Sequence, residues 1–147
     1  MRKINEIFYS LQGEGYHTGT PAIFIRFSGC NLQCSFCDTA HEEGKLMLDE
    51  EIIAEVQKYP AQMVIITGGE PALWIDEAFV HLLHQISKYV CVETNGTKTL
   101  PQNIDWVTCS PKSIDVPMLK HIDEIKVVYQ GQHVSSYLNI KAKHHYL

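Results

Sequence analysis

Met63-Val64-Ile65-Ile66 runs straight into Thr67-Gly68-Gly69-Glu70-Pro71. A continuous apolar run of this length predicts a strand buried on both faces, as in a parallel sheet. The glycine-rich segment after it predicts a turn. Upstream, Leu48-Asp49-Glu50-Glu51 opens a helix with Asp49 as the expected N-cap, acids in the first turn, and an apolar face of Ile52, Ile53, Val56 and Tyr59, before Pro60 stops it. Downstream, a second helix begins near Asp76, turns Phe79, Val80, Leu82, Leu83 and Ile86 inward, and ends near Tyr89. Further strands are expected over residues 3–9, 22–27, 90–93, 105–109 and 124–129.

Strands separated by helices predict parallel βαβ units. The polar motifs recur just after strand ends, where α/β sheets and barrels keep their active sites. The expected class is therefore α/β, a partial, open β/α barrel of about six mostly parallel strands. A complete (β/α)8 barrel needs roughly 200 residues or more, and the chain has 147. That length predicts a single domain spanning residues 1–147.

Composition narrows the class. Apolar residues make up 45% and charged residues 20%, which excludes a disordered tail or a collagen. A net charge of -5, with Lys and Arg scattered, argues against nucleic acid as a partner. No segment approaches the ~20 apolar residues that span a bilayer, and Glu6 interrupts any signal-like run, so the expected location is the cytoplasm.

Three of the five cysteines crowd into Cys30-Asn31-Leu32-Gln33-Cys34-Ser35-Phe36-Cys37. Three thiolates on one loop can reach three corners of a cubane iron–sulfur cluster and leave one iron open. A zinc site would want four ligands, with Cys91 or Cys109 as the fourth, and neither has a paired partner. Both lie in apolar strands and are expected in the core.

Phe36 before the third cysteine, and Gly68-Gly69-Glu70-Pro71 after a buried strand, resemble the radical S-adenosylmethionine (SAM) superfamily. Ser10-Leu11-Gln12-Gly13-Glu14-Gly15, Arg26-Phe27-Ser28-Gly29-Cys30, Cys37-Asp38-Thr39, Glu93-Thr94-Asn95-Gly96-Thr97 and Ser110-Pro111-Lys112 together resemble the 7-carboxy-7-deazaguanine synthase family within it. That family converts 6-carboxy-5,6,7,8-tetrahydropterin to 7-carboxy-7-deazaguanine with loss of ammonia, in queuosine biosynthesis.

The resemblance implies a lyase whose Cys30, Cys34 and Cys37 hold a [4Fe–4S] cluster. It implies that Phe36, Cys37, Asp38, Gly69, Glu70, Glu93, Asn95, Ser110, Pro111 and Lys112 line SAM. It places Leu11, Gln12, Gly13, Glu14, Arg26 and Thr67 on the pterin, with Arg26 paired to the substrate carboxylate, and Mg2+ on Thr39. No side chain is assigned acid, base or nucleophile, because the cofactors carry the hard chemistry. The implied partners are an external one-electron donor such as flavodoxin or ferredoxin and a second copy of the chain.

Taken singly, these residues have plainer readings. Gln12 and Glu14 beside glycines suit a solvated turn, Arg26 a surface position, Asp38 a helix cap or loop acid, and Asn95-Gly96 a turn. Their joint occurrence favours the functional reading. A glycyl-radical-enzyme activase would share the cysteine spacing, but Leu11 to Gly15 and Arg26 suit a small anionic substrate better. A non-catalytic iron–sulfur or zinc module is the alternative from another class. Two departures from the family are expected: the C-terminal segment with which family members contact SAM is missing after Leu147, and residues 39–48 read as loop.

Overall fold

The computed structural model describes residues 1–35, 43–113, 115 and 117–147. One eight-stranded sheet organises the chain. Its strands are β1 (Arg2–Leu11), β2 (Pro21–Phe27), β3 (Lys45–Met47), β4 (Met63–Gly68), β5 (Tyr89–Thr94), β6 (Trp106–Cys109), β7 (Glu124–Lys126) and β8 (His144–Tyr146), in the order β3-β1-β2-β4-β5-β6-β7-β8. The six strands from β2 through β8 run parallel. β1 enters antiparallel to β2, and β3 pairs antiparallel with β1. The open, mostly parallel α/β barrel is as expected, with two corrections. Residues 45–47 form a strand inside the expected loop, and β8 is a further edge.

Two helices cover the outer face. α1 (Asp49–Val56) and α2 (Glu77–Gln85) pack Ile52, Val56, Phe79, Val80 and Leu83 onto Ile23, Ile25, Val64, Ile66, Val90 and Val92. Asp49 is not the N-cap of α1. Leu48 holds that position, its N–H donating to Glu51 Oε2 at 2.7 Å. Asp49 faces Arg2 instead. Arg2 is buried and forks onto both carboxylate oxygens of Asp49 at 2.8 and 2.9 Å, and it also reaches Asp76 at 3.1 Å. Asp76 caps α2 through Phe79 N–H at 2.8 Å, so one guanidinium ties β1 to the N-termini of both helices.

α2 ends earlier than expected. Lys88 N–H donates to Leu83 O and Ser87 N–H to His84 O, with Ser87 left-handed at φ 59°. That is a Schellman closure with serine where glycine is usual.

Alternation along each strand builds a second layer on the inner face. Its floor is apolar, made of Ala22, Phe24, Met63, Ile65, Cys91 and Trp106. One step nearer the C-terminal strand ends, the same parity brings Arg26, Thr67 and Glu93, and on β7 Lys126. Cross-strand register aligns Phe24 with Ile65 and Arg26 with Thr67. A bulge between Ile4 and Glu6 shifts the register of β1. Ile4 thus joins the outer core while Glu6 and Phe8 turn inward, and Phe8 stacks on Phe24 at 4.9 Å.

Among the described residues the sheet does not close on itself by strand pairing, and the turn between β1 and β2 bridges the gap. Tyr16 N–H donates to Glu124 Oε2 at 3.0 Å. Its ring lies 4.9 Å from Trp106 and 4.5 Å from His144, on β6 and β8. Gly15 suits that turn because its φ of 70° is one that L side chains rarely adopt, and a Cβ would also displace the Glu124 carboxylate. Among the described residues, no helix is long and apolar enough to cross a membrane.

Candidate active site

A cavity of about 610 Å³ opens at the C-terminal ends of the parallel strands. Thirteen of the expected site residues line it: Leu11, Gln12, Gly13 and Glu14 from the bridging turn, Arg26, Cys30, Cys34, Thr67, Gly69, Glu93, Asn95, Ser110 and Lys112. An adjoining groove of about 460 Å³ takes in Pro111 together with Cys34, Asn95 and Lys112. Phe36, Cys37, Asp38 and Thr39 lie outside the described residues.

The cysteine loop is seated on the Gly68-Gly69-Glu70 turn by backbone contact. Gly69 N–H donates to Phe27 O at 3.0 Å and Glu70 N–H to Gly29 O at 2.9 Å. The fit needs glycine: a Cβ on Gly69 would fall 2.0 Å from Gly29 O. Trp74 Nε1–H fixes the same loop by donating to Ser28 O at 2.7 Å.

Glu70 works from beneath. It is fully buried, its Oε1 accepting from Ala72 N–H at 3.0 Å and from the Thr94 hydroxyl at 2.7 Å. Oε2 accepts from Asn95 N–H at 2.7 Å. Its carboxylate thus fastens the end of β5 to the glycine turn and does not face the cavity, which leaves Gly68 and Gly69 as the part of this turn that lines it. Asn95 passes the order on, its amide donating to Asn31 Oδ1 at 3.1 Å beside Cys30.

The four described cysteines fall into two classes. Cys30 and Cys34 are partly exposed at the cavity mouth and free of disulfides. Cys91 and Cys109 are buried, as expected for core residues, and burial pushes both thiols up, Cys109 to about 12. Two soft sulfur donors facing a cavity, on a loop fixed by backbone bonds, fit an iron–sulfur group. Among the described residues, no three His, Cys, Asp or Glu side chains gather into a metal site, and the third cysteine of the spacing, Cys37, is outside them.

In the same cavity, paired charges converge on Glu93. Thr67 Oγ1 donates to its Oε2 at 3.0 Å, and Gln12 Nε2 to its Oε1 at 3.1 Å. Lys126 Nζ reaches the same Oε1 at 3.3 Å and Glu14 Oε2 at 2.6 Å. Glu93, expected beside SAM, thus shares a network with Gln12 and Thr67, which were expected on the pterin. Burial works against the Lys126 charge, yet Glu93 and Glu14 hold its ammonium above the usual lysine range. Arg26 donates through Nε to Glu6 Oε1 at 2.8 Å and lies over the Phe8 ring.

Lys126 and Glu124 were not singled out by sequence. Lysine in Glu124-Ile125-Lys126-Val127-Val128 reads as an ordinary strand residue, and 112 positions separate it from Glu14. The one available signal was parity, which puts Glu124 and Lys126 on one face of β7.

The sequence pattern of the Radical SAM superfamily matches residues 24–127. A 7-carboxy-7-deazaguanine synthase of Bacteroides thetaiotaomicron is 68% identical over 147 residues, covering 100% of this chain and 81% of that protein. The one from Haemophilus influenzae is 37% identical over 157 residues, covering 98% and 73%. The crystal structure of QueE from Escherichia coli superposes with a TM-score of 0.77 at 34% identity, covering 93% of this chain and 73% of that one. A cysteine loop seated on a Gly-Gly-Glu-Pro turn at the open end of a parallel sheet agrees with these matches, and the chain belongs to the radical SAM superfamily and, within it, to the 7-carboxy-7-deazaguanine synthase family.

Proposed function

We propose that this chain is a radical SAM lyase that converts 6-carboxy-5,6,7,8-tetrahydropterin to 7-carboxy-7-deazaguanine with loss of ammonia, on the route to queuosine. The observation that carries this reading is one cavity lined by two thiols and by a network of paired charges. Such a cavity brings a metal group and a small polar substrate together. Identity of 68% over the whole chain to a synthase of that name supports the same substrate.

Superfamily membership implies a [4Fe–4S] cluster and SAM. When bound, they supply an electron and a 5′-deoxyadenosyl radical, which takes hydrogen from the substrate. Cys30 and Cys34, with Cys37, hold the cluster. Gly69, Asn95, Ser110, Pro111 and Lys112, with Phe36 and Asp38, hold SAM against it, and Glu70 supports them from beneath.

Arg26 pairs with the substrate carboxylate by exchanging Glu6 for it; a planar guanidinium suits a bidentate carboxylate. Leu11, Gln12, Gly13, Glu14 and Thr67 contact the pterin. Glu93 supports them through the hydrogen bonds it accepts from Gln12 and Thr67. Mg2+ binds at Thr39, whose hydroxyl oxygen suits a hard cation. The chain acts as a single domain in the cytoplasm, as a homodimer, and receives electrons from a flavodoxin- or ferredoxin-type donor.

The test is anaerobic reconstitution with iron and sulfide, followed by SAM, Mg2+, reductant and 6-carboxytetrahydropterin. Mass spectrometry is expected to find 7-carboxy-7-deazaguanine. Formation of 5′-deoxyadenosine without that product, across substrate and Mg2+ concentrations, would overturn the substrate assignment.

A further inference from the structure

The geometry points to Lys126 as a specificity-determining residue of the cavity: its ammonium and the Glu14 carboxylate form a donor–acceptor pair that reads the 2-amino-4-oxo edge of the substrate's pyrimidine ring. The inference rests on the pterin reading above and adds to it a residue and the atoms it selects.

Three observations carry it. First, Lys126 is an ammonium inside the cavity, its side chain only 16% exposed, pinned between two carboxylates on different elements. Second, those carboxylates are not equivalent. Glu93 accepts at both oxygens, from Thr67 on Oε2 and from Gln12 and Lys126 on Oε1. Glu14 accepts from Lys126 on Oε2, and its side chain is 67% exposed. Glu93 therefore acts as the anchor, and Glu14 is the carboxylate presented to an incoming ligand. Third, the pair sits where the bridging turn meets β7, in the same cavity as Cys30 and Cys34, so a ring held here shares that cavity with the thiols.

The chemistry follows from counting donors and acceptors. A 2-amino-4-oxopyrimidine edge offers two N–H donors and one carbonyl acceptor in a row. Its complement is a carboxylate beside a donor, and Glu14 beside Lys126 is that arrangement. A 2,4-diamino ring reverses the second and third positions: N3 loses its hydrogen and turns a lone pair toward the carboxylate, and an amino group faces the ammonium. Buried polar pairs reject such mismatches strongly, because both partners are left unsatisfied.

The test compares ligands as well as variants. Cluster-loaded protein with SAM and no reductant is titrated anaerobically by calorimetry. The ligands are 6-carboxytetrahydropterin and its 2,4-diamino analogue. Wild type is expected to favour the 4-oxo ligand by roughly 10- to 100-fold, the range for a hydrogen bond to a charged group. Lys126→Met is expected to lower that ratio by about threefold or more, the N3 mismatch with Glu14 remaining, and Lys126→Arg to keep it. A role confined to tethering the turn would weaken both ligands equally, so an unchanged ratio in Lys126→Met overturns the inference. Failure of wild type to bind either ligand would instead overturn the pterin reading on which it rests.

Discussion

Replacing Glu70 by glutamine tests whether the carboxylate beneath the cysteine loop is the fastener described. The exchange keeps shape and volume, so packing is unaltered. It removes one acceptor and adds a donor where three donors converge: Ala72 N–H, the Thr94 hydroxyl and Asn95 N–H. With the amide oxygen toward Ala72 and Thr94, the new NH2 faces the Asn95 N–H. Flipped, it faces the Ala72 N–H; the Thr94 hydroxyl can turn to accept, but the backbone N–H cannot. Either way one buried backbone donor is orphaned, which costs about 1–3 kcal/mol, and the remaining bonds lose the strength of a carboxylate acceptor. The sum is about 2–4 kcal/mol. For a domain near 150 residues each kcal/mol moves the melting temperature by ~2–4 °C, so Glu70→Gln is expected to melt roughly 4–16 °C below wild type. Anaerobic thermal unfolding of the cluster-loaded protein, followed by circular dichroism, measures it. A melt within about 2 °C of wild type would refute the hub argument.

Three further outcomes are expected. Gly69→Ala drives a methyl into Gly29 O, so reconstituted iron content should fall by roughly half or more while far-UV circular dichroism keeps the native sheet signal. Brief iodoacetamide treatment of the cluster-free native protein should label Cys30 and Cys34, and leave Cys91 and Cys109 untouched until denaturant is added, as read by peptide mass spectrometry. Burial raises the Glu124 carboxyl above its ordinary 4.5, so the native state holds that proton longer than the unfolded chain does. The contribution of Glu124 to stability is therefore full below pH 4.5 and declines as pH rises through the native pKa. Glu124→Gln should lose less stability than wild type over that rise; parallel denaturation-midpoint curves would contradict the assignment.

What the sequence made legible follows the periodicity of side chains. The run from Met63 to Ile66 and its glycine turn announced a buried parallel strand with a functional end, and the cysteine spacing announced the chemistry. β3 and β8 escaped because three residues at a sheet edge, Lys45–Met47 and His144–Tyr146, carry no period to read. Asp49 misled because an acid at a helix start satisfies capping rules, whereas its carboxylate is claimed by Arg2, 47 positions away. Lys126 and Glu70 make the same point within the site. Their type was visible, but their partners are set by which strands lie side by side, and no local pattern records that.

Arg2 also has a consequence in time. Arg2 clamps both helix starts, yet Asp49 and Asp76 follow it by 47 and 74 positions. At translation rates of about 5–20 residues per second, Arg2 waits about 4–15 s for its last carboxylate to be synthesised. Until then its guanidinium remains in water, and β1 has no lock onto the layer of helices. β1 is thus made ahead of both helices and secured only after the start of the second has been synthesised.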